Sequence, residues 1–208
     1  MYTDILHELL RDVLPAQFTP EQREDLAQQV NDNDTWYENP DLFEKVIFAY
    51  EQESTINHQG QDTRKLCDAV KNTEFFSNKH LDAVSLYPTN KETGALLLTP
   101  TYLLDNLSTK EDVQKVHDLI ETWTRAAQPF AYKHGEGKVP VKIYGRSAVD
   151  NNFHLTTYVI TRNADNSYAC NEKKVLPFGF LEYEEVFNSS SLMDVLKFIQ
   201  DSRAKETS

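Results

Sequence analysis

The spacing of apolar residues changes near residue 78, and this change constrains the fold more than any other feature of the chain. Before it, apolar side chains recur every three or four residues, as in residues 43–50, which is typical of amphipathic helices. After it, apolar and polar residues alternate, as in residues 139–146, which is typical of half-buried strands. Helices followed by strands predict an α+β protein, with a short-helix bundle packed on a sheet.

Start signals divide the first part of the chain into short helices. The pattern predicts a helix over residues 5–14 and a second one that begins at the capping box Thr19-Pro20-Glu21-Gln22. Asn39-Pro40 predicts the start of a third helix, and residues 62–72 form a weaker fourth one. We expect these helices to form an acidic helical subdomain over residues 1–78.

The second part, residues 79–208, is predicted to be an α+β sheet subdomain with the order β-β-α-β-β-β-α. Ser108-Thr109-Lys110-Glu111 predicts the start of one helix, and Ser190 or Ser191 the start of the last. The predicted strands cover 83–87, 95–99, 139–146, 153–162 and 168–175. Because short polar turns join most of these strands, we expect a mostly antiparallel sheet. No long linker separates the two parts, so we expect them to pack together as one globular unit.

Negative charge is concentrated in the helical part. Residues 1–80 contain 16 Asp and Glu against 7 Lys and Arg, a net charge of −9 out of −12 for the whole chain. Such a field repels nucleic acid and membrane surfaces and attracts basic proteins. We therefore expect a basic protein partner, no direct nucleic-acid binding and no membrane association. The first residues lack a signal-peptide pattern, and a cytoplasmic location is expected. The oligomeric state stays open.

The sequence contains no pattern that predicts catalysis. Its six glycines form no phosphate-binding loop, and its histidines and two cysteines show no metal-ligand or nucleophile spacing. A calcium loop starting at Asp32 is excluded, because Tyr37 occupies the position of its glycine and Phe43 that of its glutamate. We therefore expect no cofactor, no metal and no catalytic residues, and favour a protein that is not an enzyme.

The leading hypothesis is a non-enzymatic regulatory protein that recognises a basic partner, as an inhibitor or as a mimic of the phosphates of DNA. The contact surface is placed on the acidic helices within residues 19–53. An acidic surface that serves only solubility is the alternative. The predicted partner-binding residues are Glu21, Glu24, Asp25, Asp32, Asp34, Glu38, Asp41 and Glu44.

A second hypothesis places an enzyme or a small-molecule-binding domain on the sheet. Cationic and aromatic residues alternate along two consecutive predicted strands, and pairing of the strands would gather them on one face. That face would suit a phosphate-bearing ligand, although it is also typical of an ordinary solvent-exposed sheet. The predicted ligand-binding residues are Lys142, Tyr144, Arg146, His154 and Tyr158. A third hypothesis, a structural subunit of an assembly, predicts a large exposed apolar patch.

Overall fold

A computed structural model describes residues 17–58, 65–90, 92–149, 152–175 and 177–206. Within these ranges, the side chains at 57–58, 146–149, 152–155, 174–175, 177 and 206 lie outside the description. The helix predicted over residues 5–14 also lies outside the described residues.

Five helices lie in the described part of the chain: α1 (Pro20–Asp32), α2 (Pro40–His58), α3 (Lys65–Asn72), α4 (Lys110–His134) and α5 (Leu192–Glu206). Short 3-10 turns at Trp36–Glu38 and Leu104–Asn106 precede α2 and α4.

Side-chain caps explain where the helices begin. The Thr19 hydroxyl accepts a hydrogen bond from the Gln22 amide, and the Gln22 side chain accepts one from the Thr19 amide, so the predicted capping box is confirmed. Asn39 Oδ1 accepts from the first amides of α2. The box predicted to start at Ser108 is shifted by one residue. Thr109 is the cap of α4, because its hydroxyl accepts from the amide of Asp112.

Six strands form one sheet in the order β1-β2-β3-β4-β5-β6. Their bounds are β1 (Leu81–Pro88), β2 (Leu96–Leu103), β3 (Val139–Val149), β4 (Asn152–Arg162), β5 (Tyr168–Val175) and β6 (Leu181–Ser189). Every neighbouring pair is antiparallel except β2 and β3, which are parallel because the connection through α4 returns the chain to the same end of the sheet. The predicted α+β fold with a mostly antiparallel sheet is confirmed.

Strand β6 was missing from the predicted order. Glu182, Glu184 and Glu185 occupy three of its nine positions, and glutamate is depleted in strands, so the sequence there is typical of a solvated loop. The strand forms because its backbone pairs with β5 over eight register positions. It is an edge strand, and its first five residues are exposed.

One core cluster contains residues from both predicted subdomains. Its aromatic centre is Trp123 of α4, whose ring centroid lies 6.5 Å from that of Trp36 and 5.0 Å from that of Phe76. The same cluster includes Ile143 and Ile160 of the sheet. The helical part and the sheet therefore share apolar packing.

The two faces of the sheet differ in chemistry. The core face carries the cluster members of the central strands, including Ile143 and Ile160. Register places a different set on the second sheet face, which we define by Tyr87, Thr99, Lys142, Val159, Lys173 and Tyr183. Val159 is buried but lies outside the core cluster.

Candidate functional site

Helix α1 separates its apolar and acidic residues onto opposite sides. Leu26, Ala27 and Val30 are buried, as the sequence predicted. At ~100° of rotation per residue, four predicted partner-binding residues fall within an arc of about 100° on the other side, along ~16 Å of helix. We call this set the acidic stripe: Glu21, Glu24, Asp25 and Asp32.

Most of the acidic stripe keeps its charge uncompensated. Glu24 pairs with Lys65 at 2.6 Å, but both side chains are well exposed. Asp25 and Asp32 accept hydrogen bonds from the neutral amides of Gln29 and Gln28. Among the described residues, no cation forms an ion pair with any of six exposed predicted acids: Glu21, Asp25, Asp32, Asp34, Glu38 and Asp41.

The charges of the acidic stripe have opposing effects on the stability of α1. Glu21 and Asp25 are like charges at i and i+4, which destabilises a helix by ~0.2–0.5 kcal/mol. Asp32 lies at the C-terminus, where the helix dipole disfavours negative charge, and the last turn contains no basic residue. Other contributions favour the helix, because Glu21 lies in the first turn, where the dipole favours negative charge, and Asp25 and Asp32 accept i,i+4 hydrogen bonds from Gln29 and Gln28.

A second group of carboxylates surrounds Tyr37. Burial raises the pKa of Tyr37, and the nearby carboxylates of Glu38, Asp34 and Glu74 raise it further. Glu74 follows α3 and is exposed. The sequence analysis missed it, because only the folded chain brings the segment after α3 next to Trp36–Glu38.

Glu44 differs from the other predicted partner-binding acids. It accepts hydrogen bonds from Lys133 Nζ at 2.7 Å and from His134 Nε2 at 2.6 Å. Burial alone would raise its pKa, but these two bonds hold the pKa of Glu44 below its usual value. Its charge is therefore already compensated by the last turn of α4, and Glu44 is not part of the uncompensated acidic surface.

The structure does not bring the predicted ligand-binding residues together on one face. Tyr158 is opposite Ile143 in the β3–β4 register and is only 1% exposed, so it belongs to the core face. Lys142 and Tyr144 point to the second sheet face. The prediction of a shared face is wrong, because this register pairs even-numbered residues of β3 with odd-numbered residues of β4. The side chains of Arg146 and His154 lie outside the described residues; their backbones are opposite Leu155 and Ser147.

The second sheet face brings together a different cationic and aromatic set. Lys142 Nζ lies 4.8 Å from the centroid of the Tyr87 ring on β1. Lys173 on β5 is directly opposite Tyr183 on β6. Tyr144, on the same face, donates a hydrogen bond to Asp82 Oδ2. Sequence reasoning found Lys142 and Tyr144 but missed Tyr87, Lys173 and Tyr183, because their strands are distant from β3 in the chain.

The turn between β5 and β6 exposes an apolar tip. Phe178 is 99% exposed, Phe180 68% and Leu181 58%. Phe178 also has φ = 67°, a left-handed conformation that L-residues rarely adopt. The third hypothesis predicted a large exposed apolar patch, whereas these three exposed side chains belong to a single hairpin.

Other reactive groups have structural explanations. Ligand atoms of His117, Asp118 and Glu121 lie within 4.8 Å of one another, but Glu121 already pairs with Arg125 and the Asp118 carboxylate bonds to His117 and Gln114. Both cysteines are buried and free. Burial raises the pKa of each thiol to about 12, which keeps both thiols protonated and poorly nucleophilic near neutral pH.

Comparisons with known proteins give no assignment. No protein-family model matches the chain, and no curated protein or solved structure matches it at a significant level. Within the described ranges, no helix has the length and apolar character needed to cross a membrane.

Proposed function

We propose that this chain is a non-enzymatic protein that binds a basic partner protein through the acidic stripe and the acids that follow it up to Asp41. The observation that carries the proposal is the one-sided arrangement on α1, where four carboxylates line the face opposite the buried one and three of them, Glu21, Asp25 and Asp32, have no cationic partner among the described residues. An exposed row of carboxylates of this kind suits recognition of an opposite charge.

Electrostatic recognition defines the mode of action. A basic partner would be steered to the stripe over distances of about one Debye length, ~8–10 Å at moderate salt. Binding would then occlude the basic surface of the partner. If that surface normally binds nucleic acid, the protein acts as an inhibitor by mimicking phosphates, and duplex DNA would compete with it.

The apolar hairpin tip supports a binding role. Aromatic side chains supply much of the energy of protein interfaces, whereas charges mainly set the rate and specificity of association. Phe178 and Phe180 are exposed next to the acidic residues of β6. A partner that combines a basic surface with an apolar pocket would match this tip.

The experiment is affinity capture from a nuclease-treated lysate with a charge-reversed variant. The variant carries Asp25→Lys, Asp32→Lys and Asp34→Lys, three exposed positions whose side chains support no buried contact. A control with Glu92→Lys, Glu136→Lys and Asp201→Lys changes the net charge equally on other elements.

We expect a protein that wild type and control retain, that the stripe variant loses, and that elutes at moderate salt. Equal capture by the stripe variant and the control contradicts the proposal. Displacement of the captured partner by duplex DNA separates a DNA mimic from a binder of another basic surface.

A second candidate function, binding of a small phosphate-bearing ligand, keeps only part of the residue set that suggested it, because the sheet register places Tyr158 on the core face. One observation still favours it: the pair of lysines on the second sheet face, Lys142 and Lys173.

A further inference from the structure

The second sheet face carries one tyrosine on each edge strand. Burial raises the pKa of Tyr183, and the nearby Tyr87 raises it further. Tyr87 lies on β1 and Tyr183 on β6, the two edges of the sheet. Register places both rings on the face that carries Lys142.

Four side chains from four strands share the second sheet face. Tyr87 from β1 contacts Lys142 from β3 through its ring. Lys173 from β5 lies on the same face, separated from Lys142 by the single strand β4, and its cross-strand neighbour is Tyr183. Buried Thr99 and Thr101 of β2 lie between Tyr87 and Lys142 on this face, and buried Val159 of β4 lies between Lys142 and Lys173.

The two ammonium groups lack a compensating anion in the described part of the chain. Neither Lys142 nor Lys173 forms an ion pair there. Burial lowers the pKa of Lys142, and the charge of Lys173 lowers it further. Two carboxylates lie in this region: Asp82, which already accepts the Tyr144 hydroxyl, and Glu185 on β6, whose register partner is Asn171. A bound anion would relieve the repulsion between the lysines.

We propose that the second sheet face binds a small phosphate-bearing ligand between Lys142 and Lys173, with the rings of Tyr87 and Tyr183 flanking a planar group such as a nucleobase. Two ammonium groups suit a phosphate dianion through charge-assisted hydrogen bonds. Tyrosine rings suit a stacked base. A long nucleic acid is disfavoured, because the chain as a whole carries a net charge of −12. This site is separate from the acidic stripe, and neither proposal depends on the other.

The test is calorimetric titration of the full chain with adenosine monophosphate, inorganic phosphate, adenosine and a ten-nucleotide single-stranded RNA. We expect adenosine monophosphate to bind more tightly than inorganic phosphate and adenosine to bind least. Lys142→Gln and Lys173→Gln each remove one charged donor, and each should weaken binding by ~10-fold or more. Lys197→Gln, an exposed lysine on α5, is the matched control and should leave the affinity unchanged.

Two further variants separate binding from folding. Lys142→Arg keeps the charge and should retain binding within a few-fold. Tyr87→Leu should weaken the nucleotide more than inorganic phosphate, because only the nucleotide offers a ring to stack. The proposal is overturned if neither phosphate compound saturates the wild type, if the lysine variants bind as Lys197→Gln does, or if RNA alone binds.

Discussion

Glu53 is a charged residue inside the helical part, and its surroundings explain why it is tolerated there. The side chain is only 2% exposed. Its carboxylate accepts hydrogen bonds from the backbone amides of Cys67 at 2.7 Å and Leu66 at 3.3 Å, in the first turn of α3. A helix N-terminus presents unpaired amides and favours negative charge, so Glu53 caps α3 from the neighbouring helix α2.

Removing this cap should destabilise the protein. Glu53→Leu leaves two buried amides without acceptors, which costs about 1–3 kcal/mol for each group. Glu53→Gln keeps one oxygen acceptor and should cost less. Chemical denaturation measures both, with Glu51→Gln as the control: burial raises the pKa of Glu51, so neutralising it should not destabilise. An equal loss of unfolding free energy in all three variants would contradict the capping role of Glu53.

The ion pairs of Glu44 should make stability depend on pH in the acidic range. Burial opposes ionisation, but hydrogen bonds from Lys133 and His134 dominate and lower the pKa of Glu44 in the folded state. Its contribution is therefore fully present above the unfolded-state pKa, ~4.3, and is lost as the pH falls through the lower folded-state value. We expect the difference in unfolding free energy between wild type and Glu44→Gln to shrink from pH 6 to pH 3. A difference that stays constant would contradict this role.

At the C-terminus of helix α1, the charge that would stabilise the helix is opposite in sign to the charge that the proposed function requires. Asp32 lies at its C-terminus, where a positive charge would be favoured by ~0.3–1 kcal/mol. We expect Asp32→Lys to raise the melting temperature while it weakens capture of the partner. The matched control is Asp194→Lys in the first turn of α5, which should lower the melting temperature because the dipole has the opposite sign there. Two shifts of the same sign would refute the dipole argument.

The β5–β6 hairpin is a second element in which one substitution should keep or raise stability while it weakens capture of the partner. Phe178 holds a left-handed conformation that costs an L-residue ~1–2 kcal/mol, and its exposed ring contributes no burial in return. Glycine relieves this strain but loses ~0.5–1 kcal/mol of backbone entropy. Phe178→Gly should therefore be as stable as wild type or slightly more stable, and it should capture less partner if the tip is an anchor. A clear loss of stability would indicate that the ring packs in the isolated protein.

Local signals made the helices and most strands predictable. Thr19 and Asn39 cap helices through bonds to nearby residues, so the sequence alone places those starts. Strand β6 could not be predicted, because its glutamates are tolerated only through pairing with β5. For a related reason, only part of the ligand site proposed on the second sheet face could be predicted from the sequence. Lys142 is evident from its own strand, but its neighbours Tyr87 and Lys173 depend on register and strand order.

At the scale of the whole molecule, charge is divided between two surfaces of opposite sign. The helical end carries the acidic stripe and the carboxylates around Tyr37, whereas the second sheet face holds two lysines without ion pairs among the described residues. A single apolar core joins the two parts. This arrangement keeps a basic protein partner and a small anion at different places, because each surface repels the ligand of the other.

The central claim is that the acidic stripe steers a basic partner, and the association rate constant as a function of salt tests it most directly. The rate is measured by stopped-flow with the purified captured partner, for wild type, the Asp25/Asp32/Asp34→Lys variant and the Glu92/Glu136/Asp201→Lys control. We predict a rate that falls steeply with salt for wild type and control, and a slow, nearly flat dependence for the stripe variant. The same salt dependence of the association rate constant in wild type, stripe variant and control would contradict the account.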